Sequence, residues 1–280
     1  QMCIRDCLGP NGAGKTTAMK MITGFLRPDA GQVTVAGQDM AKRSLEARRR
    51  LGYLPENAPA YGEMTVADFL RFVADARELE QPERAIDRVV EMTELGRVRG
   101  QTIETLSKGF KRRVGLAQAL IHDPEVLILD EPTDGLDPNQ KAMIQELIGS
   151  LSPDKSIVLS THILDEAERI CNRAIILSQG RILVDSTPQE LIARAPNHNV
   201  IRITVDLSEI DAVASLLGAE PWVDRIERYS DDTLDLYPVG GENRLEAVME
   251  RLADRKVHGI RLQEGRLDDL FRDITRGVAA

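Results

Sequence analysis

Residues 9–16 read Gly9-Pro10-Asn11-Gly12-Ala13-Gly14-Lys15-Thr16 and satisfy G-x-x-x-x-G-K-[ST] at every fixed position. Glycines let a backbone wrap a phosphate with its N–H groups turned inward. A helix starting near Gly14 would bring the positive end of its dipole to the same anion. Ala18, Met21, Ile22 and Phe25 are spaced to share one face of that helix. Lys15 would reach the β- and γ-phosphates of a nucleotide, and the Thr16 hydroxyl would bind Mg²⁺. The nucleotide-binding candidates are Gly9, Pro10, Asn11, Gly12, Ala13, Gly14, Lys15, Thr16 and Thr17.

Downstream, short β-branched or Leu-rich runs alternate with helical patterns. Strands are predicted at Val33–Val35, Leu51–Leu54, Val126–Leu129, Ile157–Ser160 and Ala174–Leu177. Helices are predicted at Thr65–Ala76 and Asn139–Leu151, among others. This alternation predicts an α/β domain with a largely parallel sheet. Val126-Leu127-Ile128-Leu129 is apolar on both faces, as a buried central strand requires. It runs into Asp130-Glu131. Asp130 is placed to hold Mg²⁺ and Glu131 to polarise a water for in-line attack on a γ-phosphate.

Composition bounds the rest. The chain has 280 residues, enough for about two domains, with 42% hydrophobic and 29% charged residues. Its net charge of −9 argues against nucleic acid as a partner. No apolar run approaches the roughly 18 residues of a membrane span, and no signal peptide is legible at the front. Cys3, Cys7 and Cys171 form no CxxC pair and read as core or incidental thiols of a reducing compartment. The basic runs Arg48-Arg49-Arg50 and Lys111-Arg112-Arg113 are expected to be solvated faces or contacts to a membrane partner.

Thr187-Pro188-Gln189-Glu190 reads as a capped helix start, and Pro196–Asn199 as a linker. Beyond it the pattern is β-α-β-β-α-β plus a closing helix, with a hairpin around Ser230-Asp231-Asp232 and Trp222 packed inside. Residues 196–280 carry −6 of the net charge.

Further motifs identify a family. Leu106-Ser107-Lys108-Gly109-Phe110 resembles the L-S-G-G-Q signature of ABC ATPases. Gly52-Tyr53-Leu54-Pro55-Glu56 sits where that family's Q-loop belongs, Asp134-Gly135-Leu136-Asp137 resembles its D-loop, and Ser160-Thr161-His162 its H-loop. The order and spacing match across residues 8–195. The chain is most similar to ATP-binding subunits of bacterial ABC exporters of the multidrug and gliding-motility type. The resemblance implies a P-loop NTPase domain of ABC type with a helical subdomain over residues 1–195, and a small α+β, ferredoxin-like accessory domain over 200–280. It implies ATP and Mg²⁺ as ligands, a second nucleotide-binding subunit as partner in a homodimer, and an integral membrane permease. The permease would hold the chain on the inner, cytoplasmic face of the cell membrane, touching roughly Tyr61–Glu94.

The same resemblance assigns roles. Lys15, Glu131 and His162 would be catalytic. Thr16 and Asp130 would hold Mg²⁺, with Glu56 a further candidate ligand. Leu106, Ser107, Lys108, Gly109 and Phe110 would grip the nucleotide of the facing protomer, and Asp137 would bridge to it. Three departures stand out. Lys108 and Phe110 replace the usual Gly and Gln, and Glu56 stands where Gln is usual. The family's first strands, with the aromatic that stacks on adenine, are expected to be missing from this chain. Met2-Cys3-Ile4-Arg5-Asp6 is what a common sequencing-adapter end encodes, so only Cys7-Leu8 are expected to belong to the first strand. The alternative function is a soluble ABC ATPase with a regulatory or assembly role and no dedicated permease.

Overall fold

The computed structural model describes residues 4–10, 12–57 and 60–276. Asn11 of the phosphate loop, Met2 and Cys3 lie outside the described residues. The chain divides into two compact units, Gln1–Ser186 and Thr187–Ala280.

The first unit opens with β1 (Ile4–Leu8) and α1 (Lys15–Ile22). A small hairpin follows, β2 (Thr34–Val35) with β3 (Gln38–Asp39), then α2 (Ser44–Arg49) and β4 (Leu51–Leu54). Three helices come next: α3 (Val66–Ala76), α4 (Pro82–Met92) and α5 (Lys108–Leu120). The unit closes with β5 (Val126–Asp130), α6 (Pro138–Leu151), β6 (Ser156–Thr161), α7 (Leu164–Ile170), β7 (Arg173–Ser178) and β8 (Arg181–Ser186). The six-stranded sheet runs β4-β5-β6-β1-β7-β8. All its neighbours are parallel except β7 and β8. Leu127, Ile128 and Leu129 are fully buried, so β5 is covered on both faces. Leu127 and Leu129 share one core cluster with α3, α4 and α5, while Ile128 packs with Met19 and Val35 in another.

Several local expectations are revised. β1 begins at Ile4, not Cys7, because Arg5 and Asp6 find ladder partners on both β6 and β7. Two-sided backbone pairing outweighs their poor strand propensity. Val33–Val35 is no member of the parallel sheet. Thr34–Val35 folds back on Gln38–Asp39 through Ala36 and Gly37, both at positive φ (47° and 76°), the two-residue turn that suits hairpin twist. The same device, Gln179-Gly180 at φ 49° and 73°, creates β8, a strand the residue pattern did not suggest. On α1 the buried residues are Lys15 and Met19, one turn apart. Gly24, at φ 76°, follows the helix end, and Phe25 lies beyond it, 73% exposed.

The second unit contains α8 (Pro188–Ile192), β9 (Ile201–Val205), α9 (Ile210–Gly218), β10 (Val223–Ser230), β11 (Thr233–Pro238), α10 (Leu245–Arg251), β12 (Val257–Leu262) and α11 (Leu267–Arg276). Its antiparallel sheet runs β10-β11-β9-β12. That order with β-α-β-β-α-β connectivity is ferredoxin-like. Ile201, Ile203 and Val205 form the core with Val213, Leu217, Val248 and Leu252, and Trp222 packs against them. The boundary falls at Ser186/Thr187 rather than at 195. The helix capped by Thr187 packs on the segment leading into α11, where a Cβ on Gly265 would collide with the Ile192 carbonyl. Short-range capping does not reveal which core a helix joins.

Candidate nucleotide site

β1 enters the sheet between β6 and β7 and delivers the glycine loop to the carboxyl ends of the strands, where open α/β sheets bind ligands. The loop passes so close to β7 that a Cβ on Gly9 would lie 2.5 Å from the Leu177 carbonyl oxygen. Gly12 and Gly14 adopt φ 80° and 103°, conformations that side chains resist. Gly14 is the N-cap of α1 and supplies no capping side chain, so the first-turn N–H groups remain available to an anion. Lys15 is buried and folds back over the loop, its ammonium donating to the Gly9 carbonyl at 2.6 Å. Thr16 is half-buried and Thr17 exposed.

The two carboxylates at the end of β5 have distinct environments. Asp130 is fully buried. One of its oxygens accepts a 2.5 Å hydrogen bond from the Ser160 hydroxyl on β6; the other, Oδ2, is buried with no protein hydrogen-bond partner. Glu131 turns the chain at φ 50° and its N–H donates to the Ser160 carbonyl at 3.1 Å. Its carboxylate lies 2.9 Å from His162 Nδ1 and 3.8 Å from the Lys15 ammonium. Burial pushes the Glu131 carboxyl up, against the downward pull of His162 and Lys15.

Lys15, Thr16, Thr17, Glu56, Glu131 and His162 line one cleft of about 550 Å³, together with Pro10, Gly12, Ala13 and Gly14. Asp134 also faces it, a residue the sequence reading took only as the start of a loop motif. The signature does not contribute to this cleft. Leu106 is buried, Ser107 caps α5 by accepting from the Phe110 N–H at 3.4 Å, and Gly109 lies tight against the Gln140 side chain. Lys108 pairs with Asp134 at 3.2 Å. Phe110 lies under two guanidiniums, Arg97 at 4.7 Å and Arg113 at 5.2 Å from its ring centre. Asp137 caps α6 through the Gln140 N–H at 3.0 Å. The reading of Lys111-Arg112-Arg113 as a solvated face is corrected at its centre, for Arg112 is 6% exposed. A buried arginine in a basic run carries no local mark; its partners lie on other elements.

The residues present fit a divalent cation. Asp130, fully buried, keeps one carboxylate oxygen without a protein partner, and the Thr16 hydroxyl on the first turn of α1 lines the cleft; both are hard oxygen donors of the kind Mg²⁺ takes, although Asp130 itself is not among the residues lining that cleft. Among the described residues, no three His, Cys, Asp or Glu side chains converge to hold a metal alone. Phosphate oxygens and water would complete such a shell, as is usual for Mg²⁺.

Comparison with known proteins agrees with this geometry. Residues 4–134 match the ABC transporter family. The Nod factor export ATP-binding protein I of Paraburkholderia xenovorans (strain LB400) is 35% identical over 271 residues, covering 96% of this chain and 86% of that protein. Its counterpart in Rhizobium etli (strain CFN 42) is 37% identical over 274 residues, covering 96% and 83%. Among solved structures, an ATP-binding subunit of an ABC transporter superposes with TM-score 0.62 at 33% identity, over 68% of this chain and 80% of that one. CbiO1 from Clostridium perfringens, part of the ABC transporter complex cbiONQ, superposes with TM-score 0.62 at 26% identity, over 69% and 80%. With the glycine loop, the strand-end acids and this similarity over nearly its whole length, the chain belongs to the ABC transporter family as one of its ATP-binding, ATP-hydrolysing proteins.

Proposed function

We propose that this chain powers a bacterial ABC exporter by ATP-driven closure of a head-to-tail homodimer. The observation that carries the reading is the separation of its two phosphate-binding features. The glycine loop lies in the cleft with Glu131 and His162, whereas Ser107 and Gly109 open a different helix outside that cleft. A site split in this way is complete only when a second copy brings its signature to the first copy's γ-phosphate.

In the closed dimer, Lys15 leaves the Gly9 carbonyl for the β- and γ-phosphate oxygens. Thr16 and Asp130 would hold Mg²⁺, and Glu56, which lines the same cleft, is a further candidate ligand. The ion supplies charge neutralisation at the phosphates. Glu131 orients and polarises the attacking water, and His162 fixes the carboxylate through its 2.9 Å hydrogen bond and faces the γ-phosphate. Ser107, the Gly109 backbone and Lys108 meet the partner's nucleotide from the N-terminal end of α5.

Coupling to a membrane permease is assigned to the segment after the Q-loop. Tyr61 and Phe72 are 51% and 44% exposed there and pack edge-to-face at 5.3 Å. An exposed aromatic pair, one ring on α3 and the other on the loop before it, suits docking against another protein. Among the described residues no helix is long and apolar enough to cross a membrane, so attachment to the inner face of the cell membrane would run through that permease.

The test is to find whether a membrane protein with several spans is encoded beside this chain, and to measure ATP turnover with and without it, together with co-purification in detergent. Stimulation and co-purification support the exporter; turnover indifferent to that protein and no capture overturn it.

A further inference from the structure

Arg112 lies on α5 with 6% of its surface exposed. A guanidinium carries five N–H donors in one plane, and here every one meets a backbone carbonyl. Nε donates to Pro132 at 3.1 Å. Nη1 donates to Pro55 at 3.0 Å and to Glu56 at 2.6 Å. Nη2 donates to Asp130 at 2.6 Å and to Glu131. Burial pulls its guanidinium below the ordinary arginine range, against the opposing pull of the Asp134, Asp130, Glu131 and Glu56 carboxylates.

These carbonyls lie where the sheet stops. β4 and β5 are paired up to Leu54↔Leu129. Beyond that register the chains diverge, one into the Q-loop and the other into the acids of the nucleotide cleft. Arg112 takes over as the bond between them. It also grips the carbonyl of Glu131, a residue held at φ 50°, where a non-glycine residue needs support from its surroundings. General-base chemistry tolerates little misplacement: an error near 1 Å costs on the order of 10²-fold.

We propose that Arg112 is a positioning residue for ATP hydrolysis, its planar fork binding the carbonyls of Pro55 and Glu56 to those of Asp130, Glu131 and Pro132 so that the placement of the Glu131 carboxylate follows the Q-loop. The inference rests on the role given to Glu131 above. It converts a basic residue next to the signature into the joint between the loop that faces a partner and the acid that faces water.

The experiment compares turnover and affinity in the full chain, using trinitrophenyl-ATP fluorescence for affinity. Arg112→Lys keeps the charge but offers three donors instead of five and no plane. It is expected to lower kcat by more than about fivefold while Kd stays within about threefold, the mark of an interaction needed in the transition state. Pro55→Gly, which loosens the Q-loop side with Arg112 intact, is expected to lower kcat in the parent and to add less than about twofold on Arg112→Lys. A smaller kcat loss in Arg112→Lys, a Kd that weakens in step with kcat, or additive effects overturn the inference. Should Arg112→Lys not fold, Pro55→Gly and Pro132→Gly form the cycle instead: non-additive kcat losses support the joint and additive ones overturn it. Glu131→Gln is run as control. If it turns over at the parental rate, the reading of Glu131 fails; if it is inactive while Arg112→Lys is not impaired, only this inference fails.

Discussion

At the residue scale, the site depends on groups whose partners are specific. In the proposed mechanism Glu131 is the general base, and such groups contribute about 10²–10⁴-fold. Glu131→Gln is therefore expected to lower kcat by at least about 10²-fold with ATP still bound, measured by phosphate release beside equilibrium nucleotide binding. Ser160 acts one bond further out, holding Asp130 in place through its 2.5 Å hydrogen bond. Ser160→Ala is expected to raise the Mg²⁺ concentration for half-maximal turnover by about tenfold, in line with other groups that support metal ligands. A titration indistinguishable from the parent would remove Asp130 from the metal site. Gln at position 56, the family's usual residue, would lower negative charge in the cleft, and a Mg²⁺ titration of Glu56→Gln should shift if that carboxylate takes part. The glycine loop and the two acids were legible in the chain because their chemistry is contiguous. Asp134 and Arg112 were not, because a carboxylate facing a cleft and an arginine facing the interior look like any surface charge until the fold aims them.

At the scale of elements, the cap at Thr187 and the hairpin near Asp231 were legible, whereas the caps at Thr65 and Asp137 and the turns at Ala36-Gly37 and Gln179-Gly180 were not. Thr65, Asp137 and Thr187 each cap a helix by accepting an N–H bond three residues on. At Thr187 the Glu190 side chain returns the bond to complete a capping box. Thr187→Ala is expected to destabilise the second unit by about 1 kcal/mol, read from its denaturation midpoint. The inward face of α1 was misread because Gly24 follows so closely after Ile22 and leaves Phe25 outside the helix. The turn after α5 holds a pH-sensitive contact. His122 places Nε2 3.0 Å from the Leu51 carbonyl while Nδ1 is buried without a partner, which makes it the neutral Nε2–H tautomer. Burial, with Arg77 nearby, pushes its pKa from 6.5 down to about 4. Above pH 6.5 it is neutral in both folded and unfolded chains and does not affect the balance. As pH falls below 6.5 the unfolded chain takes up a proton that the folded chain refuses, so stability declines by about 3 kcal/mol by pH 4. Urea midpoints at pH 7 and pH 4.5 should show a smaller difference in His122→Gln than in the parent; equal differences would refute this assignment.

At the scale of the whole molecule, the chain is two compact units of different construction. Residues 187–280 bury their own apolar set, Ile201, Ile203, Val205, Leu217 and Val248 among it. A fragment of that length is expected to unfold cooperatively by itself in urea, and a broad, non-cooperative transition would argue against an independent unit. What the sequence determined alone was local: a phosphate loop, a buried strand ending in acids, helix starts, a hairpin turn, and motifs whose order identified an ABC ATPase. Each of these is a short stretch whose residue types carry their own conformational or chemical meaning. Tertiary structure alone decided which helix joins which unit, that Lys108 closes on Asp134, and that Arg112 joins carbonyls up to 57 residues away in the chain. Such contacts depend on how strands are ordered in the sheet, and periodicity along a chain holds no record of that order.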